Sequence, residues 1–173
     1  MTSSVIFRIT AQKPGSELAA ETAAALAAAS IIFREDDPTY SALCLRHAKE
    51  LYNFADQYRG VYSQSIPDAA KFYNSWSGYN DELAWGAIWL YRATGDDGYL
   101  NKAEQISNTL GNVEELSWDN KAAGVQILLG AITEKQVYKD RANQFCTKIF
   151  QQKPKTQDGK AHIVKPIGQS KRG

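Results

Sequence analysis

An all-α protein built from repeated helical hairpins is the fold class this sequence predicts, and three observations carry that prediction. Apolar residues recur at three-to-four spacing along most of the 173 residues, the period of one helix face. No segment shows the strict alternation of a half-buried strand. A short motif also repeats: Ala93-Thr94, with Tyr99 and Ala103 following, is echoed by Ile132-Thr133, with Tyr138 and Ala142 at identical offsets. A repeat of one α-hairpin implies a stack of hairpins that bury a continuous core between neighbours, as a solenoid or as part of a closed toroid.

The elements follow in order. Pro14-Gly15-Ser16 opens an alanine-rich helix over residues 16–34, with Ser16 placed to cap its first turn. Asp37-Pro38 starts a second helix with a capping carboxylate and a proline whose φ suits the first helical position. Its stripe of Tyr40, Leu43, His47, Leu51, Phe54 and Tyr58 runs to Gly60. Residues 61–80 carry no sustained period, and a connection that long marks a functional loop. Residues 81–94 are apolar on nearly every face, which a helix packed on several sides requires, and Gly95 stops them. Further stripes lie at Tyr99, Ala103, Ile106 and Leu110, in residues 120–133, and at Tyr138, Ala142, Phe145 and Ile149. The three hairpins are residues 16–60, 81–110 and 120–152. Beyond Pro154 the basic tail, residues 153–173, predicts disorder.

A formal net charge of +1 favours neither a nucleic acid nor an anionic membrane as partner. Residues 1–10 lack the apolar run of a signal peptide, and no stretch is apolar enough to span a bilayer; residues 18–33 come nearest and are broken by Glu21. Cys44 and Cys146 are too few for a disulfide framework and lie in helical patterns, as small buried hydrophobes do. His47 and His162 have no second ligand at metal spacing, and no glycine-rich phosphate loop is present.

Chemistry concentrates in Phe72-Tyr73-Asn74-Ser75-Trp76-Ser77-Gly78-Tyr79-Asn80-Asp81-Glu82. Tyr73 and Trp76 in a loop offer flat apolar faces to sugar rings, although plugging a gap between helices explains them equally well. Asp81 and Glu82 suit the positive end of a helix dipole, so capping alone accounts for them. Together with Ser77, Gly78 and Asp119 of the Ser117-Trp118-Asp119-Asn120-Lys121 segment they also make five oxygen donors of the kind calcium takes. The acidic pairs Asp36-Asp37, Asp96-Asp97 and Glu114-Glu115 are neighbours at turns and read as caps or solvated surface.

Residues 9–26, beginning Ile9-Thr10-Ala11-Gln12-Lys13-Pro14-Gly15-Ser16-Glu17, together with residues 73–86, Trp118-Asp119-Asn120-Lys121 and Trp89-Leu90-Tyr91-Arg92-Ala93-Thr94-Gly95, resemble family 9 glycoside hydrolases, the endoglucanases of animals and some bacteria in particular. The resemblance covers residues 7–152, leaving residues 1–6 unmatched. It implies an (α/α)6 barrel, of which three hairpins are about half, and hydrolysis of β-1,4-glucosidic bonds of cellulose with inversion. It further implies a glucan cleft lined by Tyr73 and Trp76, a structural calcium site at Ser77, Gly78, Asp81, Glu82 and Asp119, and secretion. Asn120 stands where the family often has a second aspartate near the substrate.

The family's general base lies in an Asp-Ala-Gly-Asp motif and its general acid in an Asn-Glu-Val motif, and neither occurs in this sequence. No residue here is therefore assigned to catalysis. A cellulase fragment inactive by itself is the leading expectation. Beside it stand a non-catalytic β-glucan-binding module and a helical-repeat protein that self-associates through an open face presenting Trp85, Trp89 and Leu128.

Overall fold

The computed structural model describes residues 6–111, 113 and 115–152, and every regular element among them is helical. The tail at 153–173, His162 and Glu114 lie outside the described residues. Three hairpins follow one another: α1 (Ser16–Ile32) with α2 (Pro38–Gln57), α5 (Asn80–Thr94) with α6 (Asp97–Ser107), and α7 (Ala122–Thr133) with α8 (Gln136–Gln152). Packing of α1 on α5 and of α5 on α7 joins the first helices of the hairpins into an inner layer. The α2, α6 and α8 helices return on the outside.

Composition explains which helices are inner. Ala19, Ala20, Ala23, Ala24 and Ala27 are all buried on α1, a face small enough for two neighbours to approach at once. On α5 the closest approach falls at Gly86, where an added Cβ would stand 2.9 Å from the Ala20 carbonyl oxygen and 3.0 Å from the Tyr52 ring. Leu83, Ile88, Leu90, Val125 and Leu129 complete a core from which water is excluded.

The repeat read in the sequence has a physical cause. Thr94 donates its hydroxyl to the Leu90 carbonyl (2.7 Å) and accepts the Asp96 amide (3.2 Å), and Thr133 does the same with Leu129 (2.7 Å) and Lys135 (3.3 Å). Each hairpin then turns on a left-handed residue, Gly95 at φ 73° and Glu134 at φ 56°. Glycine takes this conformation freely and glutamate does not.

Ser16 does not cap the first turn. It is the first residue of α1, behind Gly15, and its buried hydroxyl bonds the Ala55 carbonyl (2.9 Å) and accepts the Gly60 amide (3.0 Å), tying the start of α1 to the end of α2. A buried hydroxyl satisfied by another helix is worth more than one reaching water. The long connection is also more ordered than its lack of period predicts, since it holds two single turns, α3 (Tyr62–Ser65) and α4 (Pro67–Ala70). Runs this short show no periodicity to read. Cys44 is buried as expected, whereas Cys146 is half-buried. Asp37 and Asp96 cap their helices through the Tyr40 and Gly98 amides. Trp85, Trp89 and Leu128, expected on an open face, are half-buried, Trp85 lying against Gly124 and Trp89. No helix among the described residues is long and apolar enough to cross a membrane.

Asp56 links α2 to α6 through an ion pair to Lys102, and also pairs with Arg59 (2.6 Å) just beyond the end of α2. Burial alone would raise its pKa, but the hydrogen bonds from Lys102 and Arg59 outweigh burial and hold it below the usual carboxylate range. A depressed folded pKa gives stability that is present above the unfolded value and lost as pH falls through the folded one. Asp56→Asn is therefore expected to cost about 1 kcal/mol at pH 7, with the difference from wild type shrinking below pH 4 in urea titrations. Gly86→Ala is expected to lower stability by about 1–2 kcal/mol despite alanine's better helix propensity. The carbonyl it would strike is backbone, and a thermal melt that rose instead would show that α1 and α5 can separate without cost.

Candidate functional site

The first turns of α1, α5 and α7 meet at one end of the inner layer. Asp81, in the first turn of α5, accepts the amide of Lys121, the residue preceding α7, at 2.6 Å. Glu17, in the first turn of α1, and Glu82 of α5 both line a cavity of about 210 Å³ with Glu21, Tyr62, Tyr73, Trp118 and Asp119. Helix N-termini favour carboxylates because their unpaired amides and dipoles present positive charge.

Charge is nonetheless crowded here. Asp81 and Glu82 are each 2 % exposed. Burial and the neighbouring Asp81 carboxylate push Glu82 up to about 10, and burial raises Asp81 as well. Burial likewise raises Glu17. The positive charge of Lys121 partly offsets Asp81 and Glu82, while its ammonium contacts Glu21 (3.0 Å) and the Ser117 and Trp118 carbonyls (3.0 and 2.5 Å). One oxygen each of Glu17 and Glu82 is buried without a hydrogen-bond partner.

The aromatic loop lies over this cluster. Both oxygens of Asp119 accept the Trp76 amide at 3.1 Å, and one also accepts the Ser77 amide at 3.1 Å. The Ser77 hydroxyl donates to the Asp119 carbonyl. Gly78 turns the chain at φ 86°, with Ser75 bonded to its carbonyl (2.9 Å). As a result Tyr73 and Trp76 stand 64 % and 81 % exposed, so they do not plug a gap between helices. The Tyr73 ring meets Trp118 edge to face at 5.6 Å, and Trp118 is itself 53 % exposed. Asn120 is half-buried, its side-chain oxygen Oδ1 accepting the Ala122 amide (3.0 Å) at the start of α7.

Of the five donors expected to hold calcium, all lie in this loop, in the first turn of α5 or in the segment before α7. No group of three His, Cys, Asp or Glu side chains among the described residues is gathered closely enough to hold a metal ion. Hard oxygen chemistry and the partnerless, buried Glu82 oxygen fit a divalent cation all the same. Sequence reasoning missed Trp118, Glu17 and Tyr62. The available signal was the pair Glu17 and Glu21 at i, i+4, two acids on one face of an alanine-rich helix.

Residues 1–171 match the sequence profile of Glycosyl hydrolase family 9. Endoglucanase 5 of Arabidopsis thaliana is 53% identical over 154 residues, 85% of this chain and 24% of that protein. Endoglucanase B of Cellulomonas fimi is 50% identical over 147 residues, 80% of this chain and 14% of that protein. Among solved structures, the endoglucanase of the termite Nasutitermes takasagoensis superposes with a TM-score of 0.81 at 50% identity, covering 90% of this chain and 36% of that one. An endoglucanase of Clostridium thermocellum solved with cellotriose superposes with a TM-score of 0.65 at 37% identity, covering 76% of this chain and 22% of that one. The chain thus spans well under half the length of each of these relatives.

Asp119→Ala removes the acceptor for two loop amides. It is expected to cost about 1–2 kcal/mol in urea unfolding, measured in chelator so that no bound cation contributes, and a loss below a few tenths would mean that the loop is held elsewhere.

Proposed function

Since the chain belongs to glycosyl hydrolase family 9, we propose that it forms part of the glucan cleft of an endo-β-1,4-glucanase and that the 173 residues alone do not turn over substrate. Family members fold as an (α/α)6 barrel, and the three described hairpins make up half of one. The observation that carries the glucan reading is the exposed set Tyr73, Trp76 and Trp118 above a cleft at the N-terminal ends of the inner helices. Flat rings in that position stack on the axial C–H faces of β-linked glucose while polar neighbours meet its hydroxyls.

Hydrolysis with inversion needs a general base to activate water and a general acid to protonate the leaving oxygen, roughly 6.5–9.5 Å apart. The cleft's carboxylates are otherwise engaged. Asp81 accepts the Lys121 amide, Asp119 two loop amides and Glu17 the Tyr62 amide, while Glu21 pairs with Lys121. Glu82 lines the same cavity but is itself only 2 % exposed. With the family's base and acid motifs absent from the sequence, binding without bond cleavage is what remains to these residues.

Ser77, Gly78, Asp81, Glu82 and Asp119 would hold calcium, which on binding would supply the positive charge this cluster lacks. Asn120 completes the proposed glucan contacts beside Trp118. A polymeric glucan substrate calls for a secreted protein.

Reducing-sugar release from carboxymethyl cellulose is expected to stay at the blank with calcium present; turnover would overturn the account of the engaged carboxylates. Titrated with cellotetraose, the chain is expected to lose about tenfold in affinity on Trp76→Ala, and equal affinity would favour a non-glucan role. Calcium at a hundredfold over its Kd should add about 2.7 kcal/mol of stability. That gain should disappear in Asp81→Asn.

A further inference from the structure

We infer that Glu17 and Tyr62 are positioning residues that hold the aromatic loop against α1. Their hydrogen bonds run from the inner helix layer to the exposed rings. Glu17 is 5 % exposed, and one of its oxygens accepts the Tyr62 amide at 2.7 Å, fixing the start of the single-turn helix α3. The Tyr62 hydroxyl then donates to the Tyr73 carbonyl eleven residues on. Tyr73 in turn sets its ring on Trp118, next to the Asp119 carboxylate that holds the Trp76 and Ser77 amides. The loop is thereby clamped from two sides, by α1 through Tyr62 and by the segment before α7 through Asp119.

The two clamps act at different points of the loop. Asp119 fixes the backbone at Trp76 and Ser77. At the other end the Ala69 carbonyl accepts the Phe72 and Tyr73 amides (3.1 and 2.8 Å), Phe72 is 81 % exposed, and the Tyr62 hydroxyl is what reaches the Tyr73 carbonyl from outside the aromatic loop. Fixing the Tyr73 carbonyl determines where that ring can stand, because the side chain has only two further torsions. Glutamate suits the anchor: its second oxygen is buried, and the side chain lines the cavity shared with Glu82 and Asp119, so one side chain serves both the loop and the acidic cluster. The geometry stands by itself, while its purpose, presenting Tyr73 to a glucan, rests on the function proposed above.

Amide hydrogen exchange of the full chain, resolved over residues 71–79, tests this directly. Tyr62→Phe deletes one hydroxyl at a half-buried position and is expected to raise exchange in that segment by roughly three- to tenfold while leaving α5 and α6 unchanged. Glu17→Ala is expected to do the same and to free residues 61–66 as well. Glu17→Gln, which keeps an acceptor oxygen for the Tyr62 amide, should restore wild-type protection. Unchanged exchange in Tyr62→Phe, or a Glu17→Gln variant as loose as Glu17→Ala, would overturn the inference. Cellotetraose titration of the wild-type chain separates the two readings: failure to bind sinks the glucan proposal and leaves the exchange comparison to decide this one.

Discussion

The contact between Ala20 and Gly86 is the constraint on which the rest of the molecule depends. A Cβ at Gly86 would stand 2.9 Å from the Ala20 carbonyl oxygen and 3.0 Å from the Tyr52 ring, so α5 can lie this near α1 only with a hydrogen at that position. Glu17 lies one turn before Ala20 and Glu82 one turn before Gly86, so the crossing that brings the small residues together also brings the two carboxylates to one end. Packing and chemistry are therefore set by the same few residues. A side chain at Gly86 would shift the acids as well as the core.

The α5–α7 contact extends the arrangement by similar means. Gly124 accepts the Trp85 ring at a distance where a Cβ would stand 2.8 Å from it. With α7 drawn in, the Lys121 amide reaches Asp81, and the segment before it delivers Trp118 and Asp119 to the loop. Three N-termini converge, and their unpaired amides make a cluster of acids tolerable that a uniform low-dielectric interior would not accept.

Much of the fold was legible in the sequence because helix periodicity and turn chemistry are local. The threonine turns at Thr94 and Thr133 repeat because each closes a hairpin by the same two hydrogen bonds. The exposed loop aromatics were legible too, as a pair. What escaped were the residues whose role depends on a distant partner: Ser16, whose bonds run to Ala55 and Gly60, and Glu17, whose partner Tyr62 lies 45 positions away. Nothing in the local pattern of either distinguishes a cap or a solvated acid from a tertiary tie. Short turns such as Tyr62–Ser65 are invisible for a related reason, since one turn contains no period to detect.

The balance of charge at the shared end explains why the loop and the acids belong to one device. Lys121 contacts Glu21 and two carbonyls, so its single charge is divided before Asp81 and Glu82 are answered. Partnerless oxygens remain on Glu17 and Glu82, each buried, and an unmet buried acceptor costs about 1–3 kcal/mol. A cation drawn to those oxygens would act on residues that already grip the loop, because Asp119 holds its backbone and Glu17 holds Tyr62. Any gain in order at the acidic cluster is thus carried by hydrogen bonds already in place to Tyr73 and Trp76, the rings that face the solvent. Such rigidity is what the proposed glucan contacts would draw on, since each ring that must be ordered on binding subtracts from the affinity it contributes.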